Sequence, residues 1–557
     1  MSLKQLFSVF LFFCAYGTMA QSLIQGRLLD AQDDSPIPYA VLQRSTDTRA
    51  VMTNADGAFS LELTPGDQLI LRHIGYNQEI FTFDGSSEFI IRATAKTEEL
   101  PTVELQGENA ALDLFWDMVK IGRKQATEAQ GMKSFYRLLT KEASGEPYEY
   151  LEAFYQTETG ANGIESMVPK SGRFAFVTRE EDFFSADLSR LLPQFRFFRT
   201  FGEVDNLPVF PSAMNRKKIE STYSIEVERL LYSSEGTTAE IHLISTDPKH
   251  KEHYVYFVDT KTKLPVRIEM RKHKLNTRPF EALDENDKVG EVLLSSTVDF
   301  GQGEGKFFVE QYRLNFEYTY FKLGYAPRTF LTEISWFGYR KGRFTLPVLY
   351  SLADYHTDYH YYGRLPDLPE LWETDYAVLA TSEQQKTVEL LKKLDTRGNF
   401  FGDSLNHKKT FWRDRDLPMI WQRIEYKKPD QDIRSFSYIN EQANHLVFDF
   451  SVNSFCQDGS AQWYVEPEFL GEESYFRENR TATALRYVQL AWKITILRAD
   501  EFQQNLNETS KCYSDEELRQ LVANRVNALN DELFSLSSQT ADGKYDEKLA
   551  EWESRYE

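Results

Sequence analysis

The stretch His253–His273, HYVYFVDTKTKLPVRIEMRKH, decides how most of this chain is read. Tyr254, Tyr256 and Val258 recur every second residue, a polar break follows at Asp259–Lys263, and Val266, Ile268 and Met270 return with the same period. Period-two alternation of aromatic and branched residues around a polar turn predicts a β-hairpin with one face in a core. The same pattern continues in KFFVEQYRLNFEYTYF (306–321) and RTFLTEISWFGY (328–339). From Ser134 to about Tyr361 the expectation is therefore a large antiparallel sheet, half-barrel or barrel-like. One amphipathic helix is expected ahead of it, over 110–130, with Leu114, Met118 and Ile121 on one face.

Composition bounds the function classes. The 557 residues suggest three or four domains. With 64 basic against 85 acidic residues the net charge is −21, which disfavours a nucleic-acid binder, because phosphate recognition needs concentrated Lys and Arg. Hydrophobic residues make up 41% and aromatics 14%, enough for several packed β-rich cores.

The opening MSLKQLFSVFLFFCAYGTMAQS reads as an export leader: Lys4 precedes an apolar run, and small residues near Ala20 suggest cleavage between Ala20 and Gln21. No later segment is long enough to span a bilayer as a helix. Removing the leader leaves Cys456 and Cys512, for which a disulfide is the simplest expectation in an oxidising compartment, with two buried free thiols as the alternative.

Between Leu23 and about Arg92 short apolar runs alternate with turn chemistry, which favours a small antiparallel sandwich. Asn54-Ala55-Asp56-Gly57 supplies a tight turn with Gly57 at positive φ, and Phe59, Leu61 and Leu63 share the next strand's core face. Turn formation accounts for Asn54 and Asp56 without calcium. Gly26, Asp30, Pro36, Pro38-x-Ala40-Val41, Thr53-Asn54-x-Asp56-Gly57-x-Phe59 and Ile74-Gly75-Tyr76 resemble the carboxypeptidase-like regulatory domain. That resemblance implies a seven-stranded, transthyretin-like fold often found at the front of Gram-negative envelope proteins. It implies no peptidase activity, since in the carboxypeptidases this module sits beside the catalytic domain.

Two groups in the middle region attract attention. Asp354, His356, Asp358 and His360 would line one face of an extended segment, and His356 and His360 also align on a helix, so they are the metal-ligand candidates. Tyr355, Tyr359, Tyr361 and Tyr362 in the same stretch are candidate aromatic contacts for a glycan or peptide. His250 and His253 fall on opposite faces of a strand, which disfavours joint ligation. No phosphate-cradling glycine loop or assembled nucleophile triad can be read from spacing.

Towards the C-terminus, HLVFDFSVNSF and AQWYVEPEFL read as strands, followed by helices over about 481–505 and 515–536. Ser514 and Glu517 form a capping box, and Leu518, Leu521, Val522, Val526 and Leu529 make the second helix's buried stripe. The region from Trp421 through Trp552, seen in IWQRIEYKKPD and VEPEFLGEESYFRENRTATALRYVQLAWKITILRA, resembles an uncharacterised family of exported zinc-peptidase-like domains whose long helix carries His-Glu-x-x-His. In that frame Tyr487 and Ala491 stand at the two His positions and Val488 at the Glu position, a set that cannot bind zinc or activate water. The resemblance therefore implies a scaffold without its metal centre.

The organisation expected is mainly β and multidomain: a leader over 1–20, a regulatory-type sandwich over 21–105, a β-rich body over 110–365, a connecting segment over 366–416, and a degenerate peptidase-like α+β domain over 417–557 with two long helices. The function expected is noncatalytic binding or scaffolding in the cell envelope, periplasmic or at the outer membrane, with no cofactor. The alternatives are an envelope hydrolase with its site in the middle domain, or a glycan-binding surface protein. The expected partner is an envelope protein or a glycan.

Overall fold

The structure is a computed structural model. It describes residues 22–47, 49–99, 108–179, 184–199, 209–247, 252–274, 287–303, 306–349, 358–374, 378–395, 413–416, 418–421, 424–426, 444–457, 459–471, 473–477 and 479–556. The expected leader, His250 and the Asp354–His356 part of the candidate metal group lie outside the described residues. The chain is multidomain and mainly β, with 44% strand and 27% helix, and its longest helices are gathered near the C-terminus.

The strands β1 (Ser22–Asp30), β2 (Val41–Arg44), β3 (Ala50–Met52), β4 (Ala58–Leu63), β5 (Gln68–Arg72), β6 (Ile80–Thr82) and β7 (Phe89–Ala93) form two small sheets, ordered β4-β1-β7 and β3-β2-β5-β6. All pairings are antiparallel except β1 with β7, which is parallel. Leu28, Leu42, Phe59, Leu61 and Leu69 fill the space between the sheets. The turn into β4 is built from side chain and backbone together. Asn54 Oδ1 accepts from the N–H groups of Asp56 (3.0 Å) and Ala58 (2.9 Å), and Gly57 takes φ 68°, where a Cβ would meet the Leu28 carbonyl.

The body is one eleven-stranded sheet. It is made from β8 (Thr97–Glu99), β9 (Ala129–Glu142), β10 (Pro147–Gly160), β11 (Gly163–Phe176), β12 (Tyr223–Ser233), β13 (Gly236–Ser245), β14 (His253–Asp259), β15 (Pro265–Lys274), β16 (Lys288–Gly303), β17 (Lys306–Phe321) and β18 (Arg328–Lys341). The order is β11-β10-β9-β18-β17-β16-β15-β14-β13-β12-β8, and each pairing is antiparallel. β8 falls within the span expected for the sandwich, yet it pairs with β12, so this strand belongs to the large sheet. At the other end the sheet curls enough for Thr159 Oγ1 on β10 to donate to the Val309 carbonyl on β17 at 2.9 Å, although two strands lie between them. The result is an open half-barrel.

The concave face holds the main core. Tyr136, Leu151, Tyr155, Ile241, Tyr254, Tyr256, Ile268, Tyr312 and Trp336 point to it from successive strands. Helix α1 (Glu108–Gln125) lays Leu114, Phe115 and Met118 into the same core, with Phe115 edge-on to Tyr256 at 4.9 Å. Burying each such side chain contributes roughly 1.5–3 kcal/mol. The hairpin 253–273 forms as its alternation predicts, except at Val266. A register shift between Phe257 and Val258 turns Val266 to the convex face, against Ile74 of the sandwich.

The remaining elements are α2 (Arg216–Thr222), β19 (Val348–Leu349), α3 (Asp358–Arg364), α4 (Pro369–Thr374), α5 (Ser382–Leu394), β20 (Glu425–Tyr426), β21 (Phe448–Gln457), β22 (Ser460–Phe469), β23 (Tyr475–Phe476), α6 (Ala482–Thr509), α7 (Asp515–Thr540) and α8 (Asp546–Glu553). Within the segment 366–416 expected as a connection, residues 366–374 and 378–395 pack on the convex face. Leu371 and Trp372 of α4 pack with Phe154 and Phe337, while Leu391 of α5 packs on Tyr150 and Leu139. The C-terminal unit packs α6, α7 and α8 with the sheet β19-β21-β22 around one core, and the Ser514–Glu517 capping box forms at the start of α7.

Two buried polar devices join this unit to the half-barrel. Lys170 Nζ on β11 donates to the Thr345 carbonyl (2.6 Å) and Asn453 Oδ1 (2.7 Å), and burial drives its pKa well below the ordinary lysine value. Arg364, at the end of α3, is fully buried and donates from Nη2 to Glu468 Oε2 at 2.6 Å, while Arg413 reaches Glu468 Oε1 at 3.3 Å.

Cys456 and Cys512 are bonded, with their Cα atoms 5.9 Å apart and a sequence separation of 56. A loop of that size limits the unfolded chain by about 4 kcal/mol in the chain-entropy description. The Cys456→Ser/Cys512→Ser variant is therefore expected to lose about 2–4 kcal/mol of unfolding free energy. Denaturant unfolding with and without reductant checks this: reductant should lower the wild-type midpoint and leave the variant's unchanged.

Candidate functional site

The tyrosines expected at the surface are largely inside. Residues 358–364 form the helix α3 rather than an extended strand, so Tyr359 and Tyr362, three apart, share its buried face. Tyr359 donates to Glu149, and the hydroxyls of Tyr362 and Tyr155 bond each other. Tyr362 lies over Gly172 of β11, where a Cβ would collide with its ring, so a glycine is needed for the close approach. Tyr361 is half-buried against the same core. This overturns the exposed-aromatic reading for Tyr359 and Tyr362. Tyr355 lies outside the described residues, and the one-face extended arrangement of Asp354, His356, Asp358 and His360 is not kept, because the last two sit on a helix. Among the described residues, no three His, Cys, Asp or Glu side chains are grouped to hold a metal ion.

Tyr487, Val488 and Ala491 lie on α6 and are all buried in the C-terminal core. The positions aligned with metal ligands thus serve packing here. Burial raises the Tyr487 hydroxyl pKa, with Asp542 adding to the rise.

Glu149, on β10, is a strongly perturbed carboxyl. Burial, its largest influence, pushes it up to about 7 against the hydrogen bonds from Ser185, Tyr359 and the Ala186 N–H. Its oxygens accept from Ser185 Oγ at 2.5 Å, Ala186 N at 2.9 Å, Thr140 Oγ1 at 3.3 Å and the Tyr359 hydroxyl. The group is wholly buried and occupied by its own chain, which makes it a structural tie between β10, the 184–189 segment and α3.

The open site is elsewhere, where the sandwich meets the convex face. A cleft of about 400 Å³ lies between β2 and β5 of the sandwich and β13–β17 of the large sheet. Its walls carry ionised pairs: Arg72 with Glu310, and Arg267 Nε with Asp299 Oδ1 at 2.5 Å. Arg313 Nη2 stands 3.6 Å from Asp299 Oδ2 and its guanidinium covers the Tyr39 ring at 4.2 Å. Burial pushes the Asp299 carboxyl up, but the charges of Arg267 and Arg313 and the hydrogen bond from Arg267 bring it below its ordinary value. Glu310 is held above its ordinary value by burial, which Arg72 offsets only in part.

Three buried polar atoms of residues lining this cleft lack hydrogen-bond partners: Arg72 Nε, Asp299 Oδ2 and Gln311 Oε1. All three atoms are closed off from solvent, and Asp299 Oδ2 lies in the field of the Arg313 guanidinium. Tyr39 partitions this cleft from a second one of about 320 Å³ that reaches Arg137, Glu333 and Asn54. It holds φ 59°, a left-handed conformation costly for a non-glycine residue, and its backbone is fixed by Thr53 O (3.0 Å) and by Gln311 Nε2 (3.4 Å).

Individually these charged residues read as solvated strand faces. The available signal was charge recurring on the alternate face of strands whose other face is aromatic: Arg267 and Glu269 beside Ile268, Asp299 beside Val298, Arg313 beside Tyr312. The same signal marks a second polar row on β13 and β14. There Glu240 accepts from Arg229, His242 Nε2 lies 2.8 Å from Glu240 Oε1, and His253 Nε2 lies 3.1 Å from His242 Nδ1. An exposed apolar tip also stands out on the β17–β18 hairpin, where Phe321 is 40%, Leu323 73% and Tyr325 52% exposed.

No family model matches the chain, and no curated protein matches it. Among solved structures it is similar to a DUF1329 family protein from Desulfovibrio piger, at 10% identity, 42% of this chain, 92% of that chain and TM-score 0.18. It is also similar to a Pseudomonas aeruginosa MucA/MucB complex structure (9%, 40%, 93%, TM-score 0.15). A third is a putative outer membrane lipoprotein-sorting protein domain from Vibrio parahaemolyticus (13%, 41%, 90%, TM-score 0.17). Superpositions this loose carry no weight for fold or function. No helix among the described residues is long and apolar enough to cross a membrane, which leaves strand-built spans untouched.

The cleft carries its own acid sensitivity. Burial, reinforced by Arg267, Arg313 and Lys96 and opposed by Asp299, lowers the His73 imidazole from 6.5 to about 3, and its Nδ1 accepts from the Gly75 N–H at 3.1 Å. The neutral ring is the folded form, so its contribution is complete above pH 6.5 and is lost as pH falls from there towards about 3. The loss amounts to at most roughly 4 kcal/mol over that window. Urea unfolding from pH 7 to pH 4 should show a steeper decline for wild type than for His73→Gln; parallel profiles would contradict this role.

Proposed function

We propose that this chain is an exported cell-envelope protein with a noncatalytic binding or scaffolding role, and that the cleft between sandwich and half-barrel is its ligand seat. The observation carrying the proposal is an open volume of about 400 Å³ at the seam, lined by charged and polar residues of both the sandwich and the large sheet. A seam between two packed units that needed only to adhere would close on apolar contacts, as the neighbouring patch of Val41, Ala50 and Met52 against Phe135 and Phe337 does.

The leader-like first 20 residues and the resemblance of the sandwich to the carboxypeptidase-like regulatory domain support the envelope address. The peptidase-like reading of the C-terminal unit is carried forward in its degenerate form. With Tyr487, Val488 and Ala491 in the core, that frame serves as a scaffold holding the half-barrel's far edge through Lys170 and Arg364.

The test uses the mature chain, produced with its leader and recovered from the envelope fraction. Its N-terminus should begin near Gln21, and it should cleave no peptide in a mixed library whether zinc or manganese is added or chelated. Small polar molecules extracted from envelope should raise its melting temperature, and Gln311→Ala should remove that rise. Metal-dependent cleavage abolished by chelator, or a thermal shift indifferent to Gln311→Ala, would overturn the reading.

A further inference from the structure

The hairpin joining β17 and β18 ends in an apolar point open to solvent. Phe321, Leu323, Tyr325, Ala326 and Pro327 are all exposed, and Leu331 adds another exposed apolar side chain further down the same hairpin. Apolar side chains scattered singly over a surface need no explanation, but three large ones within five positions of one turn do. The point is also held stiffly. The Tyr325 N–H donates to the Lys322 carbonyl at 3.1 Å and closes the turn, and Gly324 stands in it at φ 87°, with no atom within 4 Å of where a Cβ would lie. Asp287, just ahead of β16, accepts from the Leu323 N–H at 3.3 Å and from the Tyr320 hydroxyl at 2.7 Å, so the tip is pinned to its neighbouring strand.

Charge at this tip departs from the charge of the chain. Acidic residues outnumber basic ones by 85 to 64 overall, yet from Tyr318 to Thr332 there is no Asp or Glu, while Lys322 and Arg328 are present. Lys288 is exposed and pairs in register with Phe321, and Lys322 Nζ lies 5.4 Å from the centre of the Tyr325 ring. The nearby carboxylates are covered or shared: Asp287 is buried under the bonds just given, and Glu142 divides between Arg328 at 3.2 Å and Arg179 at 2.8 Å. Exposed Glu317 and Glu333 mark where the acid-free stretch ends, roughly 15 Å behind the turn at about 3.3 Å per residue.

Side chains of these kinds, so arranged, suit the boundary between hydrocarbon and headgroups. Leucine and phenylalanine enter the acyl region, a tyrosine ring rests at its edge, and lysines extend to the phosphates. A protein partner is met instead by a surface with a packed, desolvated centre, whereas this one is a convex point. From this juxtaposition we propose that the β17–β18 tip is a membrane anchor, seating the folded chain peripherally on a bilayer that contains anionic phospholipid. Insertion of about 5–10 Å, usual for interfacial elements, stays within the acid-free reach of the hairpin. The anchor is separate from the cleft and leaves it open.

Co-sedimentation of the full mature chain with vesicles tests the anchor. Vesicles of phosphatidylglycerol with phosphatidylethanolamine should bind the chain at least about tenfold more strongly than vesicles of phosphatidylcholine alone, through the attraction of Lys288 and Lys322 to an anionic surface. Leu323→Ser/Tyr325→Ser should weaken binding by about tenfold or more without moving the melting temperature, since both side chains are exposed in the folded chain. Phe534→Ser, which removes a ring 74% exposed on α7, should bind as the wild type does. The anchor is overturned if the wild type stays in the supernatant with anionic vesicles, if the double variant binds as well as the wild type, or if Phe534→Ser loses as much. Equal binding to both kinds of vesicle would refute anionic lipid as the target. Self-association in lipid-free solution that the double variant abolishes would assign the tip to a second copy of the chain and overturn the anchor as well.

Discussion

The half-barrel has an aromatic concave face and apolar patches on its convex face, and the need to cover both organises the rest of the chain. Its concave side is filled from within the same domain, by α1 and by Phe184, Phe195, Phe197 and Phe198 from the segments after β11. Its convex side has no such internal filler. The sandwich, α4 and α5 supply three separate patches there, and each patch is apolar where it touches the sheet. The first module, α4 and α5 therefore pack as covers of the body. An isolated body would expose Phe135, Phe154, Phe337, Val255 and Phe257 as apolar patches.

Two-sided burial also explains which elements could be read from residues alone. The 253–273 hairpin was legible because one face is continuously aromatic or aliphatic and the turn is polar. The sandwich turn at Asn54–Gly57 was legible because a specific side-chain bond and a positive φ each demand a specific residue. The capping box at Ser514 and Glu517, and the stripe through Leu518, Val522 and Val526, were legible because local hydrogen bonds and helical period set them. By contrast, β8 carries only Thr97, Glu98 and Glu99, all exposed, and nothing in three polar residues tells a sandwich strand from an edge strand of another sheet.

The Tyr-rich stretch misled for a related reason. In Asp354–Tyr362 polar and aromatic residues alternate, which suits a strand, while Tyr359 and Tyr362 also satisfy helical spacing. Period alone cannot arbitrate between the two over so short a window. The tertiary environment decides: Gly172 opens a slot in β11 that accepts the Tyr362 ring, and Glu149 waits beside it for the Tyr359 hydroxyl. The cleft was hidden for a different reason, because Arg72, Arg267, Asp299, Glu310 and Arg313 come from the sandwich and from three strands of the sheet. Charge alternation on aromatic-backed strands could have flagged a covered polar face, but only the docking of β2 and β5 pairs Arg72 with Glu310.

That pairing has a consequence for how the cleft can work. Apolar patches such as Val41 and Met52 against Phe337 supply attraction between sandwich and sheet but tolerate sliding, since hydrophobic contact is weakly directional. The Arg72–Glu310 pair is directional, and it leaves the buried Glu310 carboxylate alone if the sandwich slips, at a cost of several kcal/mol. The charges thus set the register of docking, while the apolar patches set its strength. Tyr39 stands at the junction of both, wedged under Arg313 in a strained backbone conformation that survives only because Thr53 and Gln311 hold its backbone. A cleft framed in this way keeps its shape without a ligand.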